Sequence, residues 1–402
     1  MTRAPMRMGW LLLLALLAPR LPAQPAPPLA PPTLAEVRKT MGIPSTDTVR
    51  GQKDTVGFAS RADQMAKVWD WSAQPPFPEA LGPLPAPGVL GVICPHDDYL
   101  YAGRVYRRIL PLVTAHTVVL VGVFHGYRRF GARNALVFDP YRAWRAPDGA
   151  IPVSGLRDEL LAQLPASDVI RDAAMQDSEH SVEAIAYWLK HQDPRLKIVS
   201  ILVPAASFPR FQELAAHLGK ALAVSLRKRG WVLGRDVALV ISSDGIHYGA
   251  DFAYTPYGEG RVEAYVKATA RDRALLTGPL AGPVAPAKAE AFYDAAVDPQ
   301  HPDTYRMPWC GRFSIPFGLL LLGETARDLG LPAPTGRPIA YGTSISFPEL
   351  PVKPLGMGRT APANLYHFVS YPAVAFTAGK VSSHPPAATG SARGEASPAG
   401  VR

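Results

Sequence analysis

Cysteine occurs only twice in the 402 residues, at Cys94 and Cys310. Two cysteines in an oxidising compartment are expected to form one disulfide, whereas in a metal site either serves as a thiolate, so both readings stay open. Long apolar runs are also missing. The N-terminal run from Trp10 to Ala18 has roughly half of the ~20 residues that a spanning helix needs. Charge is present but dispersed: the formal net charge is +9, yet Lys and Arg nowhere form a run of five. Without a helix-turn-helix or RNA-binding signature, that basicity does not indicate a nucleic-acid partner; it serves solubility or attracts anionic substrates. No internal repeat is visible, and no linker interrupts residues 60–376. With 48% hydrophobic residues the chain can bury a large core, which excludes disorder of the whole.

Arg3 and Arg7 precede the apolar run, and small residues ending in Leu21-Pro22-Ala23 follow it, the layout of a secretory signal peptide over residues 1–23. No Cys follows the run, which argues against a lipoprotein. The expectation is an exported chain, periplasmic or secreted, with no stable membrane span after cleavage. Residues 24–33 are Pro-rich and read as a tether that opens an N-terminal extension over 24–60. Residues 378–402 are rich in Ser, Gly, Ala and Pro and read as a disordered tail. Residues 61–377 remain as one domain.

Within it, short β-branched runs alternate with helical patterns, which predicts an α/β fold: a mostly parallel or mixed central sheet flanked by helices. The runs 89–94, 117–123, 198–203 and 237–242 are continuously apolar and have the length of buried central strands. Segments 134–138, 339–347 and 368–376 are weaker candidates, expected near the edges. Val182, Ile185, Ala186 and Leu189 fall at i, i+3, i+4 and i+7, and Phe211, Leu214, Ala215, Leu218 and Leu222 follow the same rule. Further helices are expected over 259–276 and 313–329.

Polar residues follow three of the strongest strands at once: Cys94-Pro95-His96-Asp97-Asp98-Tyr99, then Phe124-His125-Gly126, then Ser242-Ser243-Asp244-Gly245-Ile246-His247-Tyr248-Gly249. In open α/β sheets, ligands bind outside the carboxyl ends of the strands. Two imidazoles from neighbouring strand ends can meet at one metal there, with a carboxylate and a third imidazole close by for proton transfer. Cys310 stands ahead of a predicted helix and beside Arg312, both of which favour thiolate. The bland readings are a satisfied loop histidine for His96 or His125, helix capping for Asp244 and His247, and a disulfide for Cys310 with Cys94. Glu179 and Glu183 read as structural partners of a helix start, and His180 as pocket wall or support. Arg312 either clamps a substrate carboxylate or neutralises a buried one such as Asp244. Ser243 has no adjacent His–Asp arrangement of the nucleophile-elbow type, so a serine hydrolase is a poor reading.

Pro95-His96-Asp97-Asp98-Tyr99-Leu100-Tyr101-Ala102-Gly103 resembles the Pro-His-Ala-Gly-Tyr segment of the Memo-like family, the AmmeMemoRadiSam system protein B. Glu179-His180-Ser181-Val182-Glu183, the segment 242–249 and Cys310-Gly311-Arg312 resemble its other signatures in the same order, over about residues 85–325. The resemblance implies a fold like that of class III extradiol dioxygenases. It also implies a mononuclear metal held by His96, His125 and Cys310, with His247 and Asp244 as the catalytic acid–base pair. Thiolate in place of a carboxylate softens the site, so Fe(II) or copper is favoured and zinc is admissible. Asp97-Asp98 replaces the family's Ala-Gly and adds up to two negative charges, one of which could join the metal or orient an imidazole. An exported chain would not meet a cytoplasmic radical SAM partner, so that partnership is not carried over.

These readings lead to a metal-dependent, dioxygenase-like oxidoreductase acting on a small molecule. Two rivals use the same cleft: a non-catalytic metal- or peptide-binding protein, and a zinc-dependent hydrolase.

Overall fold

The computed structural model describes residues 30–379. Residues 1–29, with the signal-peptide reading and most of the Pro-rich stretch, and residues 380–402 of the tail lie outside the described residues. From Pro31 onward the described chain belongs to one compact unit.

Its centre is a mixed sheet. The main strands are β1 (Gly91–Cys94), β2 (Thr117–Val123), β3 (Leu136–Phe138), β4 (Val169–Arg171), β5 (Lys197–Val203), β6 (Val237–Ser242), β7 (Thr335–Thr343) and β8 (Phe368–Thr377). They lie in the order β7-β8-β1-β6-β2-β5-β3-β4. The four apolar runs become β1, β6, β2 and β5, contiguous and parallel. Nearly every residue in them is buried, because helices cover both faces and neither face can be polar. Parallel register brings their carboxyl ends to one edge, with Ser242 opposite Cys94 and Ile241 opposite Val121.

Two of the weaker strand candidates sit elsewhere than expected. β8 is internal, antiparallel to β1 on one side and to β7 on the other. Phe368 to Phe376 are all buried, so this strand cannot be an edge. β7 runs over Thr335–Thr343 rather than 339–347; its register shifts between Pro338 and Ala340, since proline gives the ladder no N–H. β3 lies near the edge as expected, with β4 beyond it.

The helices follow the periodicity. α1 (Tyr99–Ile109) opens directly after the His96 segment, and α2 (Glu183–Gln192) directly after the Glu179-His180-Ser181 segment. α3 (Phe208–Arg229) starts at Ser207, whose hydroxyl accepts from the Arg210 N–H, and stops at Gly230 with φ of 65°. α4 (Arg261–Thr277) and α5 (Ser314–Asp328) match the remaining expectations. α3 and α5 pack along each other, closely enough that a Cβ on Gly219 would stand 2.8 Å from Glu324 Cβ. No described helix is long and apolar enough to cross a membrane.

Part of the N-terminal extension is folded onto this body. Thr33 and Glu36 close a capping box on the short helix Leu34–Lys39. Farther on, the wholly buried Arg50 pairs with Glu183 on α2 and donates to the carbonyls of Gln176 and Glu179. Lys53 and Asp54 give their N–H groups to the same Glu183 carboxylate. These bonds carry residues 53–58 to the rim of the site.

Candidate metal centre

The strand ends converge as the α/β topology requires. His96 follows β1, His125 follows β2, and Asp244 and His247 follow β6. Cys310 arrives from the segment ahead of α5, anchored by neighbours on both sides. Trp309 Nε1 donates to Asp272 on α4 at 2.7 Å, and the Gly311 N–H donates to Ser243 Oγ at 3.0 Å. Ligand atoms of His96, His125 and Cys310 lie within 4.8 Å of one another; Asp244, His247 and Cys310 form a second such group, and His125, Glu179 and His180 a third.

Proton accounting shows which nitrogens are free. His96 Nδ1 lies 2.7 Å from Ser242 Oγ, and that hydroxyl gives its single proton to the Ser181 carbonyl. Ser242 therefore accepts, and His96 Nδ1 carries the proton. His125 Nδ1 is 2.9 Å from Glu179 Oε1, and His247 Nδ1 faces the carbonyls of Gly245 at 3.0 Å and Pro308 at 3.1 Å. Each imidazole thus spends Nδ1–H on an acceptor and leaves Nε2 for the cluster, the arrangement of metal-ligating histidines. His247 Nε2 is 3.4 Å from Cys310 Sγ.

The electrostatics are dominated by the sulfur among imidazoles. Burial disfavours a Cys310 thiolate, but His247, His125 and His96 outweigh it and hold the thiol well below its ordinary range. In return, burial pulls His247 down and the Cys310 thiolate pushes it up further, to about 10. Glu179 is wholly buried, yet His125 keeps its carboxyl well below the usual range. Asp244 accepts the His96 N–H at 2.8 Å; burial pushes its carboxyl up to about 7 against the pull of His96.

The other sequence candidates take definite places. His180 stacks on His125, ring centroids 5.0 Å apart and nearly parallel, and lines the cavity. Burial, with the neighbouring imidazoles, brings it down to about 4, so it is neutral at pH 7. Neither Asp97 nor Asp98 belongs to a ligand group among the described residues. Asp97 accepts from the Tyr371 hydroxyl at 2.6 Å. Asp98 accepts the Thr360 N–H at 2.6 Å, and burial together with Asp97 pushes it up to about 8, so at pH 7 it adds little charge. Arg312 does not pair with Asp244: its Nη2 donates to Tyr127 Oη at 2.9 Å and its guanidinium lies 3.7 Å over the Tyr305 ring. The reason is placement, since Asp244 sits at the His96 end of the cluster. Cys94 and Cys310 are both free thiols; Cys94 is wholly buried in β1, and desolvation pushes its thiol up. The serine of the Ser243-Asp244 pair spends its hydroxyl on the Asp244 carbonyl and the Gly311 N–H.

Sequence reasoning missed the support of the imidazoles. Glu179 reads as a helix-start carboxylate, and nothing local shows that it reaches across to His125; Ser242 as the acceptor for His96 is equally invisible. The cluster opens into a cavity of about 830 Å³. Asp54, Val56 and Phe58 of the N-terminal arm form part of its wall, with Tyr101, Phe252 and Tyr305.

Fold and site together define an α/β protein with an imidazole–thiol cluster at the carboxyl ends of its parallel strands. The chain belongs to the Memo-like protein family, whose model matches residues 62–336. Among curated proteins it is similar to a MEMO1 family protein of Thermococcus kodakarensis, 28% identical over 173 residues, which are 41% of this chain and 55% of the relative. A MEMO1 family protein of Methanothermobacter thermautotrophicus is 28% identical over 183 residues, 43% of this chain and 61% of the relative. One from Methanosarcina barkeri is 31% identical over 163 residues, 40% of this chain and 55% of the relative. The matched stretch thus spans little more than half the length of these relatives.

Proposed function

We propose that this chain binds one transition metal ion through His96 Nε2, His125 Nε2 and Cys310 Sγ, and uses it in oxidoreductase chemistry on a small molecule. The observation that carries the reading is the proton accounting: the Nδ1–H of each ligand imidazole is committed to an acceptor, and the remaining nitrogens face a thiol whose surroundings favour thiolate. Tetrahedral bonds of ~2.0 Å to nitrogen and ~2.3 Å to sulfur place ligand atoms roughly 3.3–3.5 Å apart, within reach of the present spacing by small side-chain movements. Two imidazoles and a thiolate suit iron or copper, and admit zinc. A bound iron or copper ion would supply one-electron chemistry, and a zinc ion Lewis acidity.

The chain's own residues do the rest. His247 is oriented by two carbonyls and exchanges a proton at Nε2, beside the sulfur and facing the cavity. Asp244 fixes the His96 backbone by accepting its N–H, and its Oδ2 stands 3.4 Å from His96 Nε2. Phe58, Tyr101 and Phe252 give the 830 Å³ cavity apolar walls that limit water around a bound organic molecule.

The test is metal analysis of purified protein, with His96→Ala and His125→Ala as controls, followed by anaerobic Fe(II) loading and O₂ uptake with a panel of catechols. Stoichiometric metal lost in both variants is expected; wild type that takes up none ends the reading. Metal without turnover would leave a binding protein, and hydrolysis indifferent to oxygen would point to zinc.

A further inference from the structure

A second cavity, of about 200 Å³, adjoins the first. It shares His125, Tyr305 and Cys310 with the larger one and adds Tyr127, Arg128 and Arg312 to its lining. Its charge is unbalanced. Arg312 is 2% exposed, its Nη2 bonds the Tyr127 hydroxyl, and its buried Nη1 has no partner among the described residues. A buried donor without a partner is costly, and on a cation more so. The carboxylate nearest in this network, Asp303, is already engaged by Arg133 at 2.7 Å, by Arg128 at 3.6 Å and by the Tyr127 hydroxyl at 2.8 Å. Two guanidiniums thus share this one carboxylate, and Arg312 reaches it only through the Tyr127 hydroxyl. The rings of Tyr305 and Phe313, 3.7 and 4.7 Å from the Arg312 guanidinium, offset only part of its charge. The other anion nearby, the Cys310 sulfur, faces the imidazoles.

We infer that this chamber is a binding site for a small oxyanion, a carboxylate or phosphate group, held by the Arg312 guanidinium with Arg128 beside it. A guanidinium presents paired N–H donors that match such groups. The volume equals about six or seven waters of liquid and is below the ~300–1,000 Å³ of pockets for drug-sized ligands, so it admits an acetate or phosphate and is too small to enclose a peptide. The shared wall places such an anion against His125 and Cys310, while its binding needs no metal.

The experiment titrates the full chain with sodium phosphate, sodium acetate and, at matched ionic strength, sodium chloride, reading thermal stability and calorimetric heat. A saturable effect of an oxyanion beyond that of chloride is expected; saturation by phosphate alone assigns a free inorganic ion, and saturation by acetate the carboxylate of an organic molecule. Arg312→Met should weaken binding at least tenfold. Arg312→Lys, which keeps the charge but not the planar fork, should weaken it at least threefold through loss of the paired donors. Oxyanions no better than chloride on wild type, or unchanged affinity in either variant, overturns the inference.

Discussion

One carboxylate holds His125 at two points: Glu179 Oε2 accepts its backbone N–H at 2.6 Å and Oε1 its Nδ1–H at 2.9 Å. The same Oε1 receives the N–H groups of His180 and Ser181, each at 2.8 Å. The ring is therefore fixed in rotation and in tautomer.

Glu179→Gln should lower metal affinity ~10–100-fold, as loss of a carboxylate behind a metal-bound histidine does. It should also lower stability. Because the folded-state carboxyl lies below its ordinary value of 4.5, the stabilisation is present above that value and is lost as pH falls below it. The gap in denaturant stability between wild type and variant should begin to narrow as pH falls below 4.5 and keep narrowing toward the far lower pH at which the folded-state carboxyl protonates; a gap that does not narrow at all below 4.5 would show that Glu179 is not the charged partner of His125.

Cys310 should be the reactive thiol and Cys94 the inert one. In metal-free protein, iodoacetamide at pH 6 is expected to label Cys310 and spare Cys94, read by peptide mass mapping. Added metal should slow the labelling. His247→Gln removes the nearest cation and should move the labelling midpoint to higher pH; an unmoved midpoint would mean that the sulfur does not depend on that imidazole.

Gly311→Ala should damage the site without touching a ligand. A Cβ there would stand 2.3 Å from Ser243 Oγ and 2.4 Å from Ser243 Cβ, so the backbone carrying Cys310 must shift. A cost of about 1–3 kcal/mol in stability is expected, with weaker metal binding. Chemical denaturation and metal titration check both, and a variant that keeps wild-type metal affinity would show that the segment has slack.

Arg50→Leu removes the cation from the buried Glu183 carboxylate, which keeps the Lys53 and Asp54 N–H groups, and strands the carbonyls of Gln176 and Glu179. Breaking a buried pair from one side costs about 3–5 kcal/mol. Urea unfolding monitored by tryptophan fluorescence would measure it, and a loss below ~1 kcal/mol would show that water replaces the guanidinium.

The central strands were legible because burial on both faces forces an unbroken apolar run, and β1, β2, β5 and β6 show that run directly. The strand-end polar clusters then located His96, His125 and His247, since topology alone brings those ends together. β8 was placed at an edge because apolar content does not reveal which neighbours a strand pairs with. Arg312 was assigned a carboxylate because charge suggests a partner, whereas its observed neighbours, Tyr127, Tyr305 and Phe313, come from segments far from one another in sequence. Glu179 was read as local for the same reason: its bonds to His125 span 54 positions.

The N-terminal arm sets where the protein can be cut. A chain begun at Ala62, where the match to the family model starts, would retain His96, His125 and Cys310 but lose Asp54, Val56 and Phe58 from the cavity wall and Arg50 from beneath Glu183. Such a fragment would measure the chemistry of a pocket with one side removed, and ligand selectivity determined on it would belong to the fragment alone.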